Sequence, residues 1–130
     1  MDLTISSVMK RDVTTVDIDD TIESVEHILD EGAHSFVPVM APHGACFGVI
    51  SASDLVNFHA RQENPKLKRA WDVCTHAVIE VGPDASLKDV ACLMLKKRVH
   101  HVVIVDQGRM AGILSSLDLI DRFVLGKSHC

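Results

Sequence analysis

Apolar residues along this chain recur with two periods, and the order in which those periods follow one another occurs twice. Residues 13–16 and 78–81 are short β-prone stretches. Each leads into a helix start. Asp20-Thr21-Ile22-Glu23 and Ser86-Leu87-Lys88-Asp89 place an acceptor at the cap and an acid three residues on. Apolar residues then recur at helical spacing: Ile22, Val25, Ile28 and Leu29, and again Leu87, Val90, Leu93 and Met94. Gly32 supplies a stop for the first of these helices. Phe36–Met40 and residues 101–105 are β-branched runs too short for helices, and His43-Gly44 and Gln107-Gly108 supply hairpin turns. The return strands carry Gly48-Val49-Ile50 and Gly112-Ile113-Leu114. A second helix follows, with Leu55, Val56 and Phe58 in one copy and Leu119, Ile120 and Phe123 in the other. The pattern predicts strand, helix, strand, strand, helix, twice over: an α/β (α+β) chain joined by a polar linker around Pro65.

The duplication is explicit in one phrase. Gly48-Val49-Ile50-Ser51-Ala52-Ser53-Asp54 returns as Gly112-Ile113-Leu114-Ser115-Ser116-Leu117-Asp118, and Leu follows both. Upstream the match continues, with one extra residue in the first copy between Val39 and Gly44. Val8 pairs with Val73, Val16 with Val81, Asp19 with Asp84, and Val37 with Val102. Two copies of one supersecondary unit, each needing the other to cover an apolar face, have this character. The expected units are 1–64 and 65–130.

Composition narrows the function classes. A chain of 130 residues with 47% apolar content is large enough for a core and too apolar for disorder. Net charge is −5, and Lys96-Lys97-Arg98 is the sole dense basic cluster, which reads as a solvated helix end. A nucleic-acid partner is therefore not expected. No signal peptide or bilayer-length apolar run is visible, so a cytoplasmic location without a membrane partner is expected. Cys46, Cys74, Cys92 and Cys130 show no framework spacing and read as reduced thiols, two or three of them in the core. Trp71 has no aromatic neighbours in sequence, and packing between the halves is its expected role.

The chemistry lies in the repeated phrase. A strand ends, the chain turns, and a helix begins. Ser51 and Ser115 fall at the helix start, where free N–H groups and the positive dipole end can receive an anion. Asp54 and Asp118 lie one turn inside, and an ionised carboxylate can accept from two adjacent sugar hydroxyls. A ribose bearing a phosphate suits this pair of residue types. Ser-x-x-Asp is equally the pattern of a capping box, and the two roles are compatible because a cap faces the same mouth. The preceding glycine permits close approach of a neighbouring strand or a ligand.

Other chemistry is thinner. His100 and His101 are adjacent and would point to opposite faces of a strand, and Cys74-x-His76 lacks a matching second half, so no metal site is assigned. A repeated acid with no adjacent base suits binding better than catalysis, so no enzyme activity is expected.

The phrase Gly-h-h-Ser-x-x-Asp-Leu, the strand Phe36-Val37-Pro38-Val39 and the segment Val99-His100-His101-Val102 resemble those of CBS domains, the cystathionine-β-synthase-like domains that pair as Bateman modules. The resemblance runs from about Ser7 to Val124. It implies two units related by a pseudo-two-fold, with clefts between them for AMP, ADP, ATP or S-adenosylmethionine. It implies that Asp54 and Asp118 take ribose hydroxyls and that Ser51 and Ser115 lie near a phosphate. It places backbone at Thr14, Thr15, Val78 and Ile79 along an adenine edge, and His34, His100 and His101 where the family often sets a basic phosphate contact. It further implies a homodimer and a stand-alone regulatory role on an unknown target protein. The chain departs from many nucleotide-binding members in having no Arg or Lys between Ser and Asp. That departure shifts the expectation from a triphosphate toward a monophosphate or a phosphate-free adenosyl ligand, and Leu117 makes the two sites unequal. The alternatives are a ligand-free protein-interaction module and a metal- or redox-responsive regulator.

Overall fold

The computed structural model describes residues 3–32, 36–76 and 78–125. It divides into two compact units. The first, Thr14–Val78, holds β1 (Val16–Asp17), α1 (Ile22–Gly32), β2 (Phe36–Met40), β3 (Cys46–Ser51), α2 (Ala52–Ala60) and α3 (Ala70–Val73). The second joins the residues up to Val13 to those from Ile79 onward. It holds a 3-10 turn (Ile5–Ser7), β4 (Glu80–Val81), α4 (Leu87–Lys97), β5 (His101–Asp106), β6 (Arg109–Ser115), α5 (Ser116–Ile120) and a π turn (Asp121–Leu125).

Among the described residues each unit forms one three-stranded sheet, ordered β1-β2-β3 or β4-β5-β6. The first pair in each is parallel, spanned by α1 or α4, and the second is an antiparallel hairpin. Both hairpins shift register at equivalent places, between Val39 and Met40 and between Ile104 and Val105. The turn at Gln107 (φ 53°) and Gly108 (φ 78°) is a two-residue loop with both residues left-handed, as a tight hairpin demands. The first hairpin is wider and turns through a 3-10 segment, Pro42–Gly44.

The helical periodicity buries what it predicts. α1 turns Ile22, Val25 and Leu29 inward, and α4 turns Leu87, Val90 and Met94 inward. They join two separate cores. One gathers Val37, Val39, Ile50 and Phe58, the other Val102, Ile104, Leu114 and Leu119. Each such side chain contributes about 1.5–3 kcal/mol of transfer free energy.

The structure departs from the sequence expectation in several places. β1 and β4 are only two residues long, so residues 13–15, 78 and 79 precede the strands instead of forming them. The α1 cap is Thr21, whose Oγ1 accepts from the Ser24 N–H at 3.2 Å, while Asp20 closes a turn by accepting from the Asp17 N–H at 2.9 Å. Trp71 is 47% exposed.

The compact units divide the chain after Val13 and after Val78, because the segment leading into each copy pairs with the other copy's sheet. Lys10 exchanges two backbone hydrogen bonds with Ile113 of β6 (2.9 and 3.0 Å), and Thr75 does the same with Val49 of β3 (2.8 and 3.1 Å). Ile5 and Met9 are buried in one core, and Ala70 and Cys74 at the equivalent positions in the other. An edge strand carries unpaired backbone groups, and these leaders satisfy part of both edges.

Candidate functional site

The glycine of the repeated phrase makes this pairing close. A Cβ on Gly48 would lie 2.6 Å from the Thr75 carbonyl oxygen and 3.0 Å from Cys74 Sγ. A Cβ on Gly112 would lie 2.6 Å from the Lys10 carbonyl oxygen and 2.9 Å from Met9 Sδ. The close approach left open by the sequence is therefore made by the leader segment. It delivers a side chain, Thr75 or Lys10, to the mouth where the strand becomes a helix.

At that mouth both serines are N-caps of full capping boxes. The Ser51 N–H donates to Asp54 Oδ2 at 2.9 Å, and the Ser51 hydroxyl donates to the same oxygen at 3.1 Å. The Ser115 N–H and hydroxyl donate to Asp118 Oδ2 at 2.9 and 3.0 Å. In return the Asp54 and Asp118 N–H groups donate to the serine hydroxyls at 3.5 and 3.2 Å.

The other carboxylate oxygen has a different partner in each copy. Asp54 Oδ1 accepts from the Thr75 hydroxyl at 3.0 Å. Asp118 Oδ1 lies 3.6 Å from Lys10 Nζ, with the lysine 65% and the aspartate 21% exposed. One oxygen of each acid is thus committed to the helix, and the other faces a leader side chain. Oδ1 retains acceptor capacity beyond that one partner.

Behind the first mouth sits the Cys74 thiol. Burial, and then the Asp54 charge, push its pKa from 9.0 up to about 11, so it is an inert neutral thiol at ordinary pH. Cys46 is half-buried and Cys92 exposed, and neither is in a disulfide. Cys130 lies outside the described residues. The described residues contain no group of three His, Cys, Asp or Glu placed to hold a metal ion.

The remaining expected site residues lie on the strands and the segments that lead into them. His101 stands directly across from Ser115 in the β5–β6 pair and is half-buried. His100 is exposed, and its carbonyl accepts from the Ser116 N–H at 2.7 Å, which anchors the start of α5. The Ile79 carbonyl is used within the second sheet, accepting from the Val103 N–H, and Val78 donates to the His76 carbonyl. Thr14 is exposed and Thr15 half-buried ahead of β1. His34 lies outside the described residues. The side chains that reach the two carboxylates, Thr75 and Lys10, were absent from the expected set. Their signal was in the repeat, since each stands two positions beyond the matched pair Val8 and Val73.

Among the described residues, no helix is long and apolar enough to cross a membrane. Comparison with known proteins places the duplication. The CBS domain model matches residues 5–61 and 70–125. An uncharacterised protein of Methanocaldococcus jannaschii, MJ0188, is 29% identical over 121 residues, covering 92% of this chain and 44% of that protein. The inosine-5'-monophosphate dehydrogenase of the same organism is 28% identical over 116 residues, covering 88% of this chain and 22% of the enzyme. The chain spans less than half the length of both relatives. Among solved structures, the CBS domain pair of protein MJ0100, in complex with 5'-methylthioadenosine and S-adenosyl-L-methionine, superposes with a TM-score of 0.85. The two are 25% identical, and the match covers 98% of this chain and 99% of that one. The chain with the twin capped mouths belongs to the CBS domain family, and it carries two such domains in tandem.

Proposed function

We propose that this chain is a regulatory module that binds an adenosine-containing ligand at its capped mouths, acts as a homodimer and performs no catalysis of its own. The observation that carries the reading is the division of labour within each carboxylate. Oδ2 of Asp54 and Asp118 is held by its own helix start, while Oδ1 is turned to an exchangeable side-chain partner. A ribose hydroxyl can replace or join that partner without dismantling the cap. The MJ0100 pair, similar over nearly its whole length, was solved with two adenosyl ligands that carry no phosphate. That supports the adenosyl class here, together with the uncharged Ala52-Ser53 and Ser116-Leu117 steps.

The two mouths differ in what they would favour. Thr75 is neutral, so the Asp54 mouth suits a phosphate-free or cationic adenosyl ligand such as S-adenosylmethionine. Lys10 brings a cation beside Asp118 and suits a ligand with a phosphate, AMP or ADP before ATP. Regulation follows if the ligand binds one arrangement of the protein more tightly than another, since equal affinity shifts nothing.

A thermal-shift panel with AMP, ADP, ATP and S-adenosylmethionine tests this. Ligand at about a hundred times its Kd adds about 2.7 kcal/mol of stability and raises Tm by several degrees. Asp54→Asn and Asp118→Asn are the informative variants. Each keeps a carbonyl oxygen for the cap but turns a donor outward in place of the acceptor. The shift should vanish in the double variant while its ligand-free Tm stays close to that of the natural chain. No shift with any of the four ligands would favour the ligand-free interaction module.

A further inference from the structure

The two leaders do the same work in the two units, so each is a control for the other. Ala70 and Cys74 are buried where Ile5 and Met9 are, and Thr75 reaches a carboxylate where Lys10 does. Between the two buried positions, Trp71 stands where Ser6 does. A serine suffices for the leader's packing, so that packing does not require the indole. Yet Trp71, the sole tryptophan of the chain, is 47% exposed on the four-residue helix α3. Four residues earlier, Leu67 is 74% exposed. A lone exposed Leu needs no reason. An exposed Trp following a run of cationic side chains has the composition of a contact anchor.

The charges of this segment set the kind of partner. From Arg61 to Trp71 the chain carries Arg61, Lys66, Lys68 and Arg69 against the single acid Glu63. Glu63 is shared, lying 3.8 Å from Arg61 and 3.9 Å from Lys68. Lys66 is exposed. The Arg69 guanidinium donates to the Asp19 carbonyl at 3.1 Å, and the Arg69 N–H to Asp72 Oδ2 at 2.9 Å. The backbone is tied to the unit as well. The Pro65 and Lys68 carbonyls accept from the Glu23 and Ile22 N–H groups at 3.0 and 2.9 Å, and the Trp71 N–H donates to the Ile18 carbonyl at 3.2 Å. A segment held in this way loses little further freedom when it is bound. The whole chain carries −5, which repels an extended polyanion such as nucleic acid or an anionic bilayer. A short acidic segment meets the basic stretch alone.

We propose that the linker and α3 form a docking surface for a short segment of another protein that combines acidic and apolar side chains, anchored by Trp71 and Leu67 and oriented by Lys66, Lys68 and Arg69. This extends the regulatory reading above by giving the module a place to meet a target. It needs no adenosyl ligand, so the two readings can fail separately. The test pans a random-peptide display library on the full, ligand-free chain and counter-selects on W71S. That variant copies the first leader and should keep the Tm of the natural chain. Surviving peptides should pair Asp or Glu with Leu or Phe. Synthesised, they should shift the Trp71 fluorescence to the blue saturably. By anisotropy of the labelled peptide, W71S and K66E/L67D should each weaken binding about tenfold or more, and added salt should weaken it further. Circular dichroism checks both folds, and K66E/L67D takes over the counter-selection if W71S unfolds. Overturning results are a library from which no peptide survives, survivors without acids, or survivors indifferent to K66E/L67D. Phosphatidylserine vesicles or a single-stranded oligonucleotide that bound more tightly than the peptides, with the same dependence on Trp71, would overturn it too.

Discussion

The mouth at Asp54 and the mouth at Asp118 share a backbone design and differ in what the leader segment brings to it. Both acids sit at the third position of a capped helix and hold the N-cap amide at 2.9 Å. The first meets a hydroxyl backed by a buried thiol, the second an exposed ammonium backed by Met9. Duplication has therefore preserved the part that folds the helix and varied the part that faces outward. In the proposed function that is where a capping role and a binding role separate, because the cap uses Oδ2 and the proposed ligand would use Oδ1.

The comparison breaks most directly at the glycines. Gly48→Ala and Gly112→Ala each drive a Cβ to 2.6 Å from a backbone carbonyl that cannot swing away. Each should cost about 1–3 kcal/mol in urea unfolding and pull Thr75 or Lys10 off its carboxylate. If either variant is as stable as the natural chain, the leader is not packed as described.

Next comes a pH effect confined to one unit. The folded chain holds the Cys74 proton up to about pH 11, whereas the unfolded chain releases it near 9.0. Between those values the unfolded state binds fewer protons, so stability falls as pH rises, by about 1–3 kcal/mol at roughly 1.4 kcal/mol per unit. Below pH 9 the contribution is complete. Met9, the counterpart in the other unit, does not titrate. Cys74→Ala should flatten this alkaline arm in melts run from pH 8 to 11, and an unchanged slope would remove the thiol from the account.

The caps should be worth less. Ser51→Ala and Ser115→Ala remove the hydroxyl acceptor of their boxes and should cost about 1 kcal/mol each. The second should be the larger, because its bond from the N3 amide is shorter (3.2 against 3.5 Å) and it starts a helix of only five residues. The outward partners come last. Thr75→Val should cost under about 1.5 kcal/mol, and Lys10→Ala under about 0.5 kcal/mol, since an exposed pair at 3.6 Å contributes little. A large loss from Lys10→Ala would make that lysine structural.

The repeat, both hairpins, the helical faces and the serine caps were legible in sequence because each has a local signature: a period, a left-handed turn, a Ser-x-x-Asp. The leader exchange was not. Nothing local in Ile5 to Lys10 or Ala70 to Thr75 says which sheet edge the segment will join, and that choice is made by burial of Ile5, Met9, Ala70 and Cys74 in particular cores. The same blindness hid Thr75 and Lys10 as neighbours of the acids. It also lengthened β1 and β4 on paper, where β-branched composition continued past the two residues that actually pair.

The measurement closest to the central claim is a two-dimensional NMR titration of the nitrogen-15-labelled chain with S-adenosylmethionine and with AMP. Saturable shifts should concentrate on the amides of Ser51, Asp54 and Thr75 for the first ligand, and on Ser115, Asp118 and Lys10 for the second, and both sets should disappear in the Asp54→Asn, Asp118→Asn chain. Shifts that saturate elsewhere, or that survive the double substitution, would contradict the account.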